Sequence, residues 1–270
     1  MGSACAPWIA RVSNEGFIVR VLLAMWPWML VCAVSLVVLF VALGPRHGAP
    51  PAPRKGADGE DYDPRAPKSM ASRAGLGPIV AAVAKVLASG AFLAAAALGG
   101  CFQSIYGQAV FVALVWSALG DVLLIVRGAR VAFLMGLIAF AVAHIGYIVA
   151  FKVRGIDGGA LAMALGGLAV VGFVVWRWVA RHLFGEKRGM RGPVLFYITV
   201  ITAMVAASIG SAAAVPDPLP VVGAVLFWLS DVCVARERFV QSSIWNRLIG
   251  LPLYYAAQFV FIASAGVALG

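Results

Sequence analysis

The sequence predicts an all-α protein, a polytopic membrane bundle of about eight transmembrane helices around a polar intramembrane cavity. Of its 270 residues, 63% are hydrophobic and 12% are charged, which leaves too little polar surface for a water-soluble globule. The apolar residues form runs of roughly the 20 residues that a helix needs to cross a bilayer. Of the eleven acidic residues, only Asp121 and Asp231 lie within such runs. Intramembrane carboxylates usually face a protein interior or a wet cavity.

The apolar runs define the predicted helices in order. They cover residues 17–43, 76–98, 104–126, 131–151, 159–179, 193–215, 219–235 and 249–269. The first run is too long for the core of a signal peptide, so we interpret it as a helix that Pro27 can kink. We expect three parts: residues 1–43 with the first helix, a disordered linker rich in Pro, Gly and charge at 44–75, and a seven-helix core at 76–270.

The basic residues predict the topology. The net charge of +10 could indicate a nucleic-acid partner, but the basic residues lie between the apolar runs and no recognition module is present. Sixteen Lys and Arg residues follow helices one, three, five and seven, against four on the opposite side. This bias places both termini outside the cytoplasm, in a lumen or periplasm. Helices three and seven then run in the same direction, so Asp121 and Asp231 share a depth near the cytoplasmic side.

Lys85 is the only basic residue well inside a span. It lies about nine residues into the second helix, or roughly 13 Å at helical rise, which is deep for a side chain that reaches the headgroups by snorkelling. Pairing with an interior carboxylate or with a lipid phosphate is therefore favoured.

Further polar residues lie at helical spacing on apolar segments. In the fourth helix, Gly136, Phe140, His144 and Tyr147 share one face, which we expect to point inward. The other candidates that could support the carboxylates are Ser117, Tyr197, Ser230, Tyr254 and Gln258. The spacing of Tyr254 and Gln258 would let both face one cavity, and either serine could orient a carboxylate or a water. Each candidate can also be an ordinary packing or helix-pairing residue.

These residue types favour acid–base chemistry with no metal and no cofactor. One intramembrane histidine provides too few ligands for a zinc hydrolase, and the four cysteines form no CxxC pair. Nucleophile-elbow, P-loop and dinucleotide motifs are lacking. Two carboxylates can instead divide the acid and base roles, because burial and mutual repulsion hold a proton on one while the other stays ionised.

Two other classes of membrane protein use paired aspartates. For an intramembrane aspartyl protease, the segments ALGD and WLSD depart from the expected motifs. A proton-coupled transporter is the alternative, since the aspartates and Lys85 could form a proton relay. Against it, the sequence contains no convincing inverted repeat.

Five segments together resemble the YhhN-like lysoplasmalogenase family. They are Lys85 in the second helix, SALGDVLLI ending the third, FLMGLIAFAVAHIGYIVAF as the fourth, GAVLFWLSDVCVARERF as the seventh, and PLYYAAQFVF in the eighth. The resemblance covers about residues 76–269 in the family's order. It implies an enzyme that hydrolyses the 1-alkenyl ether bond of a lysoplasmalogen, giving a fatty aldehyde and glycerophosphoethanolamine or glycerophosphocholine.

The resemblance also implies a site and partners. Asp121 and Asp231 would be the acid–base pair, with the order of their roles open. The partners would be a lysophospholipid substrate and membrane lipids, and for a eukaryotic source the location would be the endoplasmic reticulum. The oligomeric state stays open.

Overall fold

The computed structural model describes residues 7–43, 76–125 and 130–267, which form a helical bundle. The helices are α1 (Pro7–Leu43), α2 (Leu76–Leu98), α3 (Ile105–Leu123), α4 (Arg130–Arg154), α5 (Gly158–Ala180), α6 (Arg191–Ala214), α7 (Leu219–Ala235) and α8 (Ile244–Val267). Two 3₁₀ turns, Cys101–Gln103 and Gly185–Met190, and one π turn, Arg236–Val240, join them. Within the described ranges, eight helices are long and apolar enough to cross a membrane. The predicted all-α, multi-pass architecture is therefore confirmed.

The helix ends differ from the predicted ones at two places. Helix α1 begins at Pro7 and α8 begins at Ile244, both earlier than the apolar runs indicate. Hydropathy alone underestimates these helices, because polar residues lie within their first three turns. Glu15 and Glu237 lie outside the predicted helices 17–43 and 219–235. In the structure, Glu15 lies within α1 and Glu237 lies in the π turn that continues α7. The predicted disordered linker, residues 44–75, lies outside the described residues.

Close approach of helix backbones depends on glycines. Gly120 of α3 faces the ring of Phe140 in α4, and Gly223 of α7 faces the ring of Phe261 in α8. A Cβ at either glycine would lie 2.7 Å from the facing ring. Small residues at such crossings let membrane helices pack closely. Close packing matters in a bilayer because lipid tails are as apolar as the side chains, so the hydrophobic effect does not drive the helices together. The pairs α3–α4 and α7–α8, which carry the two aspartates, are thus tightly packed.

The inward orientation expected for one face of α4 is confirmed. Gly136, Phe140, His144 and Tyr147 are all buried. The Phe140 ring packs edge-on against Phe227 of α7 at a centroid distance of 6.2 Å. This face therefore joins α4 to α7.

A shielded ion pair connects the loop before α7 to the end of α4. Arg154 Nη2 donates to Asp217 Oδ2 at 2.7 Å, and the two side chains are only 5% and 9% exposed. The Arg154 guanidinium also lies 5.4 Å from the centroid of the Tyr106 ring in α3. Removing one partner of a shielded pair leaves an uncompensated charge, which is more destabilising than removing both.

We therefore predict that Asp217→Asn lowers the free energy of unfolding by about 3 kcal/mol. Asparagine can keep the hydrogen bond that the Leu219 amide donates to Oδ1 at 2.9 Å, so the substitution isolates the charge. The measurement is thermal unfolding of the detergent-solubilised protein, with the exposed helix cap Asp157→Asn as the matched control. The double variant Arg154→Met/Asp217→Asn should recover most of the loss, and equal unfolding of the two single aspartate variants would contradict the prediction.

Candidate functional site

One cavity of about 720 Å³ contains both intramembrane aspartates in its lining. Each of the eight described helices contributes at least one lining residue. The walls are mostly apolar side chains, such as Leu137, Ile201 and Trp228. A largely apolar cavity with a few converging polar groups is typical of small-molecule sites.

Asp121, near the end of α3, is held by three donors. Lys85 Nζ lies 3.1 Å from Oδ1, while Ser89 Oγ and Tyr254 OH donate to Oδ2 at 2.7 and 2.8 Å. Lys85 and Ser89 are four residues apart on α2, so one helix face presents both groups. An ammonium group and two hydroxyl donors stabilise the charged form of a carboxylate. The Asp121 side chain is only 4% exposed, so little water competes for these bonds.

Asp231, near the end of α7, has different partners. Tyr197 OH donates to its Oδ2 at 2.6 Å, and His144 Nε2 lies 3.3 Å from the same oxygen and 2.9 Å from the Tyr197 hydroxyl. His144 is fully buried, and its Nδ1 has no hydrogen-bond partner among the described residues. A second N–H left unpaired there would be costly, which favours a neutral ring whose Nε2–H donates to Tyr197. No described group hydrogen bonds to Asp231 Oδ1.

A single aromatic ring lies between the two carboxylate networks. The Phe227 centroid is 4.6 Å from the ring of His144 and 5.2 Å from the ring of Tyr254, edge-on in both cases. His144 contacts Asp231 and Tyr254 contacts Asp121. Phe227 therefore packs the two networks into one unit.

Some of the sequence-predicted candidates do not reach the cavity. Ser117 donates to the Ala113 carbonyl oxygen one turn earlier in its own helix, a bond that serines commonly make within helices. Gln258 accepts a hydrogen bond from Tyr147, since both are fully buried and need a partner. The expectation that Tyr254 and Gln258 face one cavity is therefore wrong for Gln258. Ser230, in contrast, belongs to the cavity lining.

Sequence reasoning missed several polar residues of the site. Ser89 lies one turn after Lys85 on α2, and this spacing could have indicated that both side chains contact the same carboxylate. Glu237 accepts hydrogen bonds from Asn246 Nδ2 at 2.8 Å and from Arg247 Nη2 at 2.6 Å. Arg238 lies beside them in the lining. The run ARERF directly after the Asp231 segment contains these charges and could have indicated a polar end of the cavity.

The groups that converge on the carboxylates are proton donors. Among the side chains that the structure describes, no three His, Cys, Asp or Glu come together as metal ligands would. The two carboxylates, with a lysine, tyrosines, a serine and a histidine, can hold and move protons in a mostly apolar space. One carboxylate has the Lys85 amino group beside it and the other does not, so the arrangement suits a division into base and acid.

Comparison with known proteins adds a family and relatives. The family model described as the YhhN family matches residues 80–265. Lysoplasmalogenase TMEM86B of Mus musculus is 35% identical over 156 residues, which are 57% of this chain and 61% of that protein. Lysoplasmalogenase TMEM86A of Bos taurus is 31% identical over 186 residues, covering 64% of this chain and 72% of that protein.

A bacterial relative has a similar level of identity. The lysoplasmalogenase of Mycobacterium bovis is 33% identical over 162 residues, 56% of this chain and 58% of that protein. The chain thus spans about three fifths of the length of the mouse and mycobacterial relatives. No solved structure matches the chain.

The pairing of Lys85 with Asp121 predicts strong energetic coupling between the two residues. Lys85→Met leaves the Asp121 carboxylate without its cation in an apolar setting, and we expect a loss of about 3 kcal/mol in the free energy of unfolding. The double variant Lys85→Met/Asp121→Asn should be more stable than Lys85→Met alone, because neither charge is left unpaired. Thermal unfolding in detergent measures the stability of the single and double variants, and the exposed Lys152→Met is the control. Additive effects of the two substitutions would contradict the coupling.

Proposed function

The chain belongs to the YhhN family, and we propose that it is a lysoplasmalogenase. It hydrolyses the 1-alkenyl ether bond of a lysoplasmalogen to a fatty aldehyde and glycerophosphoethanolamine or glycerophosphocholine. The observation that carries this proposal is one apolar-walled cavity lined by two carboxylates in different electrostatic settings. The names of the relatives support the substrate class.

The cavity is suited to an amphiphile with one hydrocarbon chain. Apolar residues such as Leu137, Ile201 and Trp228 line one part of it, while Glu237, Arg238 and other polar residues of the α7–α8 junction line another. In this proposal the alkenyl chain lies among the apolar residues and the headgroup lies near the junction. The vinyl ether between them is then brought to the aspartates.

The first chemical step is protonation of carbon. A vinyl ether accepts a proton on the alkenyl carbon that is not bonded to oxygen, and the product is an oxocarbenium ion. We assign the proton to Asp231 Oδ1, the carboxylate oxygen without a hydrogen-bond partner among the described residues. The charge that develops on Asp231 is stabilised by the Tyr197 hydroxyl that already donates to Oδ2, and the His144 Nε2–H donates in turn to that hydroxyl. Donors that are in place before charge develops need no rearrangement.

Asp121 then acts on water. Its carboxylate, kept charged by Lys85, stabilises the adjacent oxocarbenium ion and accepts a proton from the water that attacks the cationic carbon. The product is a hemiacetal. When it collapses, Asp121 returns that proton to the departing glycerol oxygen, and the hemiacetal hydroxyl gives its proton to Asp231. One water is consumed, an aldehyde and an alcohol form, and both carboxyls regain their initial states. Glycosidases divide the work of two carboxyls similarly around a cation of the same type.

We predict that Asp231→Asn and Asp121→Asn each lower kcat by about a hundredfold or more, the usual contribution of a positioned acid or base. The assay is headgroup release from lysoplasmenylethanolamine by the purified protein. Asp157→Asn, an exposed cap at the start of α5, is the control and should retain wild-type activity. Undiminished turnover by both site variants would sink the mechanism.

We also predict where solvent atoms appear in the products. In deuterium oxide the aldehyde should carry one deuterium on the carbon next to the carbonyl, because that carbon receives the proton in the first step. In ¹⁸O-labelled water the label should enter the aldehyde and not the glycerol hydroxyl. Mass spectrometry of both products measures this. The saturated 1-alkyl analogue should resist cleavage, since its protonation forms no such cation, and its efficient hydrolysis would reject the vinyl-ether mechanism.

A further inference from the structure

A second, smaller cavity of about 330 Å³ adjoins the one that contains the aspartates in its lining. Three cationic and three apolar side chains line it: Arg130, Lys187, Arg238, Phe133, Met190 and Phe239. We call this cavity the basic recess. Phe133, Arg238 and Phe239 line both cavities, so the two spaces share a wall.

The three cations of the recess come from separate elements. Arg130 is the first residue of α4, Lys187 lies in the 3₁₀ turn before α6, and Arg238 lies in the π turn after α7. The charge bias of the sequence predicts that all three elements are on the cytoplasmic side. Convergence of three positive charges from distant parts of the chain is unfavourable unless an anion or solvent compensates it.

Aromatic and backbone contacts define the positions of two of these cations. The Arg238 guanidinium lies 4.4 Å from the centroid of the Phe133 ring, a cation–π contact that leaves its N–H groups free to bind a ligand. The Arg130 guanidinium occupies the space beside Gly189, where an added Cβ would lie 2.6 Å from Nη2. Gly189 therefore provides the room for the Arg130 head.

The carboxylate next to Arg238 in sequence is already engaged. Glu237 accepts two hydrogen bonds from Arg247, one from Asn246 and one from Ser242. Among the side chains that the structure describes, which do not include that of Glu186, no carboxylate lines the recess and none of its three cations forms an ion pair. At the α7–α8 junction, Glu237 is thus bound by Arg247 and not by its neighbour Arg238.

We propose that the basic recess binds the phosphate of the substrate's headgroup. This inference rests on the proposed function, because it assigns the part of the lysophospholipid that the carboxylates do not contact. Guanidinium groups bind phosphate oxygens in paired hydrogen bonds, and a lysine adds a point charge. Three carbons of glycerol separate the ether oxygen from the phosphate ester, so a phosphate in the recess leaves the ether in the adjoining cavity. Phosphate binding there selects phospholipids over neutral glycerol ethers.

The first test separates binding from chemistry. Arg238→Gln and Lys187→Gln should each raise KM for lysoplasmenylethanolamine about tenfold or more, as expected for loss of a hydrogen bond to a charged group, while kcat changes little. Arg188→Gln makes the same charge change one residue away from Lys187 but outside the recess lining, and should leave KM unchanged. Hydrolysis of a 1-alkenylglycerol, which lacks phosphate, should be the same in all of these proteins.

A second variant moves a cation without removing it. Gly189→Ala keeps every charge but displaces the Arg130 head, and we expect a smaller rise in KM than for Arg238→Gln. Equal effects of Arg188→Gln and Lys187→Gln would overturn the assignment, because they would indicate a general effect of surface charge. An equal loss of activity toward the phosphate-free ether would also overturn it.

A binding measurement distinguishes failure of the recess from failure of the proposed function. Calorimetry with the uncleaved 1-alkyl lysophospholipid should show weaker binding to Arg238→Gln than to wild type, and no difference for 1-alkylglycerol. This result supports the recess even if wild type cleaves no vinyl ether, an outcome that would reject the proposed function alone. If wild type is active but both proteins bind the lysolipid equally, the recess assignment fails. If only the binding of inorganic phosphate depends on Arg238, the recess takes a free anion and the headgroup assignment is overturned.

Discussion

The ion pair between Lys85 and Asp121 is the constraint on which the site depends. An unpaired charge within a membrane helix is costly, up to about 2.5–3.5 kcal/mol at the helix centre on insertion scales, so pairing stabilises both residues. The pair fixes α2 against α3 at one rotation and depth, and two further donors on Asp121 extend the constraint. Ser89 belongs to the same face of α2, and Tyr254 brings in α8. Three helices thus converge on one carboxylate.

The second carboxylate, that of Asp231, has different partners and is more exposed. Asp231 is 15% exposed and is hydrogen bonded to a tyrosine and a histidine instead of a lysine. Two identical carboxylates in one cavity would compete for one proton, whereas here only Asp121 has a lysine beside it. Because Phe227 packs against the partners of both, the two environments are held apart and fixed relative to each other. The proposed hydrolysis of a vinyl ether needs a proton donor and an ionised group together, and this asymmetry is what the proposal uses to supply them.

The membrane spans and the isolated charged residues could be predicted from the sequence, since apolar runs and single charges within them are local signals. Most of the side chains that pair with those charges could not be predicted. Ser89 looks like any small residue on an apolar helix, and only its register relative to Lys85 makes it a donor to Asp121. Asp217 pairs with Arg154 across 63 positions, a relation that no periodicity reports. The early start of α8 could not be predicted from hydropathy, because the polar residues of its first turn lower the hydropathy of that segment. In the fold, Asn246 and Arg247 of this turn donate hydrogen bonds to Glu237.

The polar end of the cavity also bears on how much water the chemistry can use. An oxocarbenium ion requires one water at the cationic carbon, and the same ion is stabilised by a carboxylate more strongly where the dielectric constant is low. Mostly apolar walls keep the dielectric constant low, and in the proposed mechanism water enters at the end of the cavity that Glu237, Asn246 and Arg247 line. If the lipid headgroup lies at that same end, a bound substrate limits further entry of water behind it. Binding of the headgroup would then do more than provide affinity, because it would strengthen the electrostatic interaction on which the first step depends.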